Sequence, residues 1–281
     1  IYMLARGDTP LIDAVRHGCA DDVTRLLASG ADANEPRTDG SSGARPLHIA
    51  SLKGHAAIAG MLLRAGAMVD FAADMGATPL FMASACGHAA VVNVLLNEGA
   101  SVEQAADNGV APLAMAVSQN RVEVVQQLSS YGALRSFVLN GQVKTVEEVA
   151  ALHDDGTLSS WLALSREWTP LHHLRIISPA RARALLRGGA DLSAASTAGG
   201  PTPLALAQEM SAAGEAPEGS PAHLVLQAAQ PWSPDTHALF PAPARQRAVL
   251  LLLLGARLSR EPRFEGDAGA IFDVWRSYVL P

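Results

Sequence analysis

Lysine is almost missing from this chain of 281 residues, where it occurs only at Lys53 and Lys144. Nearly all the positive charge is therefore arginine, which fits either bidentate pairing with a partner's carboxylates or biased codon usage. Positive charge is short overall, and the formal net charge is -6. Nucleic-acid binders draw most of their affinity from neutralising phosphates with a basic surface, so nucleic acid is not an expected partner. Cysteine is scarce as well, present only at Cys19 and Cys86. These two fall in the first and third of the repeats described below, two stacking steps of roughly 10 Å apart, whereas a disulfide needs Cα atoms within about 7 Å. Free thiols are expected, and with them an intracellular, reducing compartment. No apolar run approaches the roughly 20 residues of a membrane span; the longest is Ala248 to Leu254. No membrane span of the chain's own is expected. An initiator methionine is lacking too, since the chain opens at Ile1. The native N-terminus and any targeting peptide are therefore expected to lie outside it, which leaves the organelle open. Aromatic residues make up 5% and charged residues 17%, against 49% hydrophobic. Such a core of Ala, Leu and Val suits closely stacked helices.

What the chain does have is self-similarity. Thr9-Pro10-Leu11-Ile12, Arg45-Pro46-Leu47-His48, Thr78-Pro79-Leu80-Phe81, Thr169-Pro170-Leu171-His172 and Thr202-Pro203-Leu204-Ala205 share one template. Leu26-Leu27 precedes Gly30-Ala31, and the same relation joins Leu62-Leu63 to Gly66-Ala67, Leu95-Leu96 to Gly99-Ala100 and Leu185-Leu186 to Gly189-Ala190. A fixed period of this kind is the mark of a repeat architecture. The pattern resembles the ankyrin-repeat family, whose T-P-L-H-x-A opening and Leu-Leu-x-x-Gly-Ala closing mark two antiparallel helices and a β-hairpin finger. The resemblance covers almost the whole chain. It implies an all-α fold, an ankyrin-repeat solenoid of stacked helical hairpins with short β-hairpin fingers.

Elementary chemistry agrees. Proline in the first helical turn costs no hydrogen bond, and the preceding threonine caps the orphan amides. Gly18, Gly54 and Gly87 supply a permissive backbone for the reversal between helices. The Gly-Ala steps end each second helix. Fainter copies place Ala111-Pro112-Leu113 in register as repeat four and Thr145 to Ala150 as the start of repeat five. Repeat starts near 9, 45, 78, 111, 145, 169 and 202 give spacings of 36, 33, 33, 34, 24 and 33. The spacing of 24 leaves repeat five no room for a finger, so the rim is expected to break there and the superhelix to change pitch. The spacing of 36 puts a small polar loop, Thr38 to Gly43, on the first finger. Ser211 to Pro221 reads as a mobile acidic loop between the two helices of repeat seven. The array is thus expected over residues 1–231, with an atypical ankyrin-like cap over 232–281. Its final helix carries Ile271, Val274, Trp275 and Tyr278 on one face and Phe272 and Val279 beside them. Either this helix is a lid over the last repeat, or Phe272, Trp275 and Val279 form a second interface.

Candidate chemistry is thin. Four of the six histidines in helical segments (His48, His55, His88, His172, His173 and His237) stand at the family's T-P-L-H and Gly-His positions. The resemblance implies that these pack and hydrogen-bond between repeats. No Cys/His set has zinc spacing, so no metal is expected. Glu147 and Glu148 are adjacent on a helix and diverge by about 100°, which suits solvated N-terminal acids better than acid/base work. No Gly-rich phosphate loop appears, and the Trp232 to Pro281 tail holds no acid, base and nucleophile set. No cofactor and no enzyme activity are expected.

The resemblance implies a binding surface made of finger tips and the exposed side of each first helix, forming a concave groove. Position by position this gives Arg16 and His17 in repeat one, and Leu52 and Lys53 in repeat two. Repeat three contributes Asp74, Met75, Ala85 and Cys86, and repeat four contributes Asp107, Asn108, Val110, Ser118 and Gln119. In repeat six the positions are Trp168, Ile176 and Ile177, an apolar group either exposed for a partner or covered by neighbouring structure. The implied function is a non-catalytic protein-protein interaction module or scaffold, plausibly a subunit of a larger assembly, with a protein partner of unknown identity. A substrate adaptor of a ubiquitin ligase of the ankyrin/SOCS-box type is the alternative. That box calls for a cysteine in its first helix, and none follows Cys86.

Overall fold

A computed structural model describes residues 8–37, 43–139, 141–153, 156–196, 200–230 and 236–246. The chain divides into two compact units, residues 1–166 and residues 167–281.

In the first unit the helices come as antiparallel pairs: α1 (Pro10–Arg16) with α2 (Ala20–Ala28), α3 (Pro46–Lys53) with α4 (Ala56–Arg64), α5 (Pro79–Cys86) with α6 (Ala89–Asn97) and α7 (Pro112–Ser118) with α8 (Val122–Ser130). A further pair, α9 (Val146–His153) and α10 (Thr157–Leu164), closes the unit. First helices stack on first helices, from α1 through α3, α5 and α7 to α9, and second helices stack on second helices from α2 to α8. The Thr-Pro starts behave as their chemistry requires. Thr9 Oγ1 accepts the Ile12 amide at 3.3 Å and Thr78 Oγ1 accepts the Phe81 amide at 3.1 Å, each with proline in the first turn. One continuous core runs through the stack, with Leu11, Leu47, Leu62, Leu80, Leu95, Leu113, Leu128, Leu158 and Leu162 all buried.

The connections after α4 and α6 are tight turns, with Ala73 N–H donating to Ala77 O at 2.9 Å and Gly76 N–H to Ala73 O at 3.1 Å in the first, and Ala106 N–H to Val110 O at 3.0 Å and Gly109 N–H to Ala106 O at 2.8 Å in the second. The connection after α8 is a true hairpin. Strand β1 (Ser136–Leu139) pairs antiparallel with β2 (Gln142–Thr145), Phe137 opposite Lys144 and Val138 opposite Val143. Phe137 joins the core.

Repeat five has no finger: α10 ends at Leu164, and residues 165–167 form only a turn before Thr169. What stands in its place is Arg135. Its guanidinium donates to the Leu162 carbonyl at 2.6 Å, to the Ser165 carbonyl at 2.8 Å and Oγ at 2.7 Å, and to Glu147 at 3.1 Å. The last carbonyls of α10, orphaned as at any helix end, are satisfied by a side chain borrowed from the preceding repeat.

The second unit departs further from the regular hairpin. The helix expected to start at Thr169 is a single 3-10 turn, Pro170–His172. β-Branched Ile176 and Ile177 disfavour extending it, and Ser178-Pro179 starts the next helix three residues after Arg175. That next helix is α11 (Pro179–Arg187), followed by α12 (Pro203–Ala212) and α13 (Pro221–Ala228), with a short 3-10 turn at His237–Leu239. The segment between α12 and α13 is a bonded turn rather than a free acidic loop. Helix α12 runs on to Ala212, Glu215 N–H reaches the Met210 carbonyl at 2.8 Å, and Glu215 pairs with Arg175 at 2.8 Å. The leucine run from 250 to 254, the final helix and the candidate second interface Phe272, Trp275 and Val279 lie outside the described residues.

Candidate protein-binding surface

The reversal between the helices of each of the first three pairs is covered by a side chain of the next repeat. Gly54 has φ +80, and a side chain there would meet the His88 ring, whose Nε2–H donates to the Leu52 carbonyl at 3.1 Å. Gly18 stands under His55 in the same way. In repeat four the pair is replaced by Asn120, at φ 52, and Arg121, whose Nε–H reaches the Ala85 carbonyl at 3.3 Å. Asparagine is among the residues that best tolerate this left-handed backbone, so the motif is kept with different letters.

The histidines at the T-P-L-H positions are buried clamps. His48 Nδ1 accepts the Arg45 amide at 3.2 Å and its Nε2–H donates to the Phe71 carbonyl at 2.9 Å. The bonds define a neutral tautomer. Burial, reinforced by the Arg45 charge, pushes the His48 pKa down to about 4. His172 repeats the arrangement between the Thr169 amide and the Pro201 carbonyl, and burial lowers its pKa as well. Neither ring is free to act as an acid or a ligand. Among the described residues no group of three or more His, Cys, Asp or Glu is placed to hold a metal ion, and no helix is long and apolar enough to cross a membrane. Cys19 and Cys86 are free and half-buried.

The loops after the second helices are cross-linked as a row. Asn34 donates to the Gly66 carbonyl at 2.9 Å and accepts the Met68 amide at 2.8 Å; Asp70 accepts the Ser101 amide at 2.9 Å; Glu103 accepts the Leu134 amide at 2.8 Å. The tips connect too, Asp107 N–H donating to the Met75 carbonyl at 2.9 Å, and the Val138 carbonyl sits directly on Gly109. Every loop is thereby held in register with its neighbour.

Against this frame the sequence-derived positions separate into groups. His17, Leu52, Lys53, Asp74, Met75, Asp107, Asn108 and Gln119 are exposed, Met75 at 78%. Ala85, Cys86 and Ser118 are half-buried beside them. Arg16 is committed internally: it holds the buried Asp8 carboxylate at 2.6 and 2.9 Å, and that bond raises its pKa. Val110 packs against the core and does not stand on the rim. Ile177 is likewise a core residue of the second unit, 6% exposed, and Ile176 is half-buried. The apolar group of repeat six is thus largely covered by its own unit. Trp168 lies with its ring 6.0 Å from His172 and 5.2 Å from His173.

Sequence reading missed the exposed valines of the fourth loop. Val138 and Val143 face each other across β1 and β2 on the side opposite Phe137, and they are 52% and 71% exposed. The signal was present as Asn140-Gly141 between runs of alternating β-formers.

Residues 6–37 match the family model described as ankyrin repeat, and residues 47–137 match the model of ankyrin repeats in three copies. Residues 6–37 and 47–137 are thus ankyrin repeats, and repeats of this family generally mediate protein-protein interaction and are generally non-catalytic. No curated protein matches the chain.

Proposed function

We propose that the chain is a non-catalytic interaction module or scaffold that holds a protein partner against its loop tips and the exposed ends of its first helices, as a subunit of a larger assembly. The observation that carries this reading is Met75. It is a large apolar side chain 78% exposed, on a loop whose backbone is tied to its neighbour by Asp107 N–H. A side chain so exposed adds little to folding, yet its position is held, which is what a pre-organised contact needs. The free thiols of Cys19 and Cys86 fit an intracellular, reducing compartment.

Affinity capture from the native source followed by mass spectrometry tests the reading. Wild-type chain should retain a defined partner, and a variant carrying Asp74→Lys, Met75→Ala and Asp107→Lys should retain at least tenfold less at an unchanged melting temperature. Equal retention by both proteins would show that this surface is not the one used.

A further inference from the structure

The loop tips of the first unit carry more chemistry than their position in the family pattern. Three exposed apolar side chains, Met75, Val138 and Val143, lie along tips that touch one another through the Met75 carbonyl and the Asp107 amide, and through the Val138 carbonyl and Gly109. Alternation along the strands puts Val138 and Val143 on the face opposite the buried Phe137. Val146 N–H bonds the Arg135 carbonyl at 2.8 Å, and the alternation of an antiparallel ladder then makes Phe137 and Lys144 a hydrogen-bonded pair and Val138 and Val143 a non-bonded one, with their backbone groups directed outward. Two carboxylates flank the Met75 turn: Asp74 precedes it and Asp107 packs against Gly76. Among the described residues neither has an ion-pair partner. The chain as a whole is acidic, with a net charge of -6.

We infer that this ridge takes a protein segment in which an arginine or lysine stands next to aliphatic residues. The inference rests on the protein-binding reading above and specifies the partner's chemistry. Aliphatic side chains of the segment cover Met75 and the Val138/Val143 pair, removing apolar surface from water. The cation lies against the Asp74 and Asp107 carboxylates that flank the Met75 turn, positive charge meeting negative. An acidic segment is rejected by the same two charges, and a purely aliphatic one leaves them desolvated without a partner.

A phage-displayed library of random sixteen-residue peptides, panned on the purified chain, tests this directly. Enriched peptides should carry Arg or Lys beside Leu, Ile or Val. As synthetic peptides they should bind at least tenfold more weakly to the Asp74→Asn/Asp107→Asn double variant and to Met75→Ala, and more weakly in 0.5 M than in 0.1 M salt. Circular dichroism and the melting temperature of both variants should match wild type, which separates lost binding from lost folding. Enrichment of acidic or purely aliphatic peptides would overturn the inference, as would peptides that bind both variants within twofold of wild type; either result places a binding site elsewhere and leaves the protein-binding reading standing. Self-association of the chain that Met75→Ala abolishes would assign the ridge to a second copy and overturn it equally. Absence of any enrichment above an unrelated carrier protein would also overturn it, while the protein-binding reading is judged independently by capture from the native source.

Discussion

At the scale of single residues, the same side-chain type serves opposite ends according to burial. Leu95 is fully buried between repeats, so Leu95→Ala should cost about 2 to 5 kcal/mol in urea unfolding. Met75→Ala, on the rim, should leave the unfolding midpoint within error. If the two changes destabilise alike, the division between core and surface is wrong. His48 makes a pH prediction. Its folded pKa of about 4 lies below the ordinary 6.5, so the unfolded chain binds the extra proton between those values. The stabilising effect is complete above pH 6.5 and is lost as the pH falls towards 4, by roughly 3 kcal/mol in all. His172 acts in the same direction. The His48→Gln variant should therefore show a flatter stability profile than wild type across pH 6.5 to 4. Parallel profiles would mean that the ring is already protonated in the folded chain.

At the scale of elements, the regular hairpins were legible because their signals are local. A proline at the first turn and a glycine at φ +80 or +82 after the last residue define α3 and α5, with Arg45 before the first and the capping Thr78 before the second. The glycine requirement is itself testable. Gly54→Ala places a methyl group 2.7 Å from His88 Nδ1 in an unfavourable backbone, whereas Gly66→Ala, at φ +88 with nothing within 4 Å, meets only the backbone penalty. Thermal unfolding should rank Gly54→Ala well below Gly66→Ala, and adding His88→Ala should recover part of the difference. Equal melting temperatures would argue against the ring lying over the glycine. What was not legible was long-range. Nothing near Ser165 announces that its carbonyl is satisfied by Arg135, thirty positions earlier. Arg135→Ala should leave buried acceptors unmet, lower stability by about 2 to 4 kcal/mol and speed tryptic cleavage at Arg166; an unchanged cleavage rate would show that the clasp is dispensable. In repeat six the Thr-Pro signal marked the right start but not the length, because burying Ile177 and starting a new helix at Pro179 ended the first after one turn.

At the scale of the whole molecule, transferring positions from a resemblance located the rim better than it located individual side chains. Asp74, Met75, Asp107 and Asn108, placed at loop tips by the resemblance, are exposed. Arg16 and Ile177 are not, since whether a side chain is free depends on Asp8 in one case and on packing within the second unit in the other. In the proposed function the first unit works as a frame whose cross-bonded loops present a surface to another protein. Hydrogen-exchange mass spectrometry of the chain with and without its captured partner tests this most directly. New protection is expected at residues 74–76, 107–109 and 138–143 and at the ends of α1 and α3 around 17 and 52–53, with α2, α4, α6 and α8 unchanged. Protection confined to those second helices, with the loop tips exchanging as in the free chain, would contradict it.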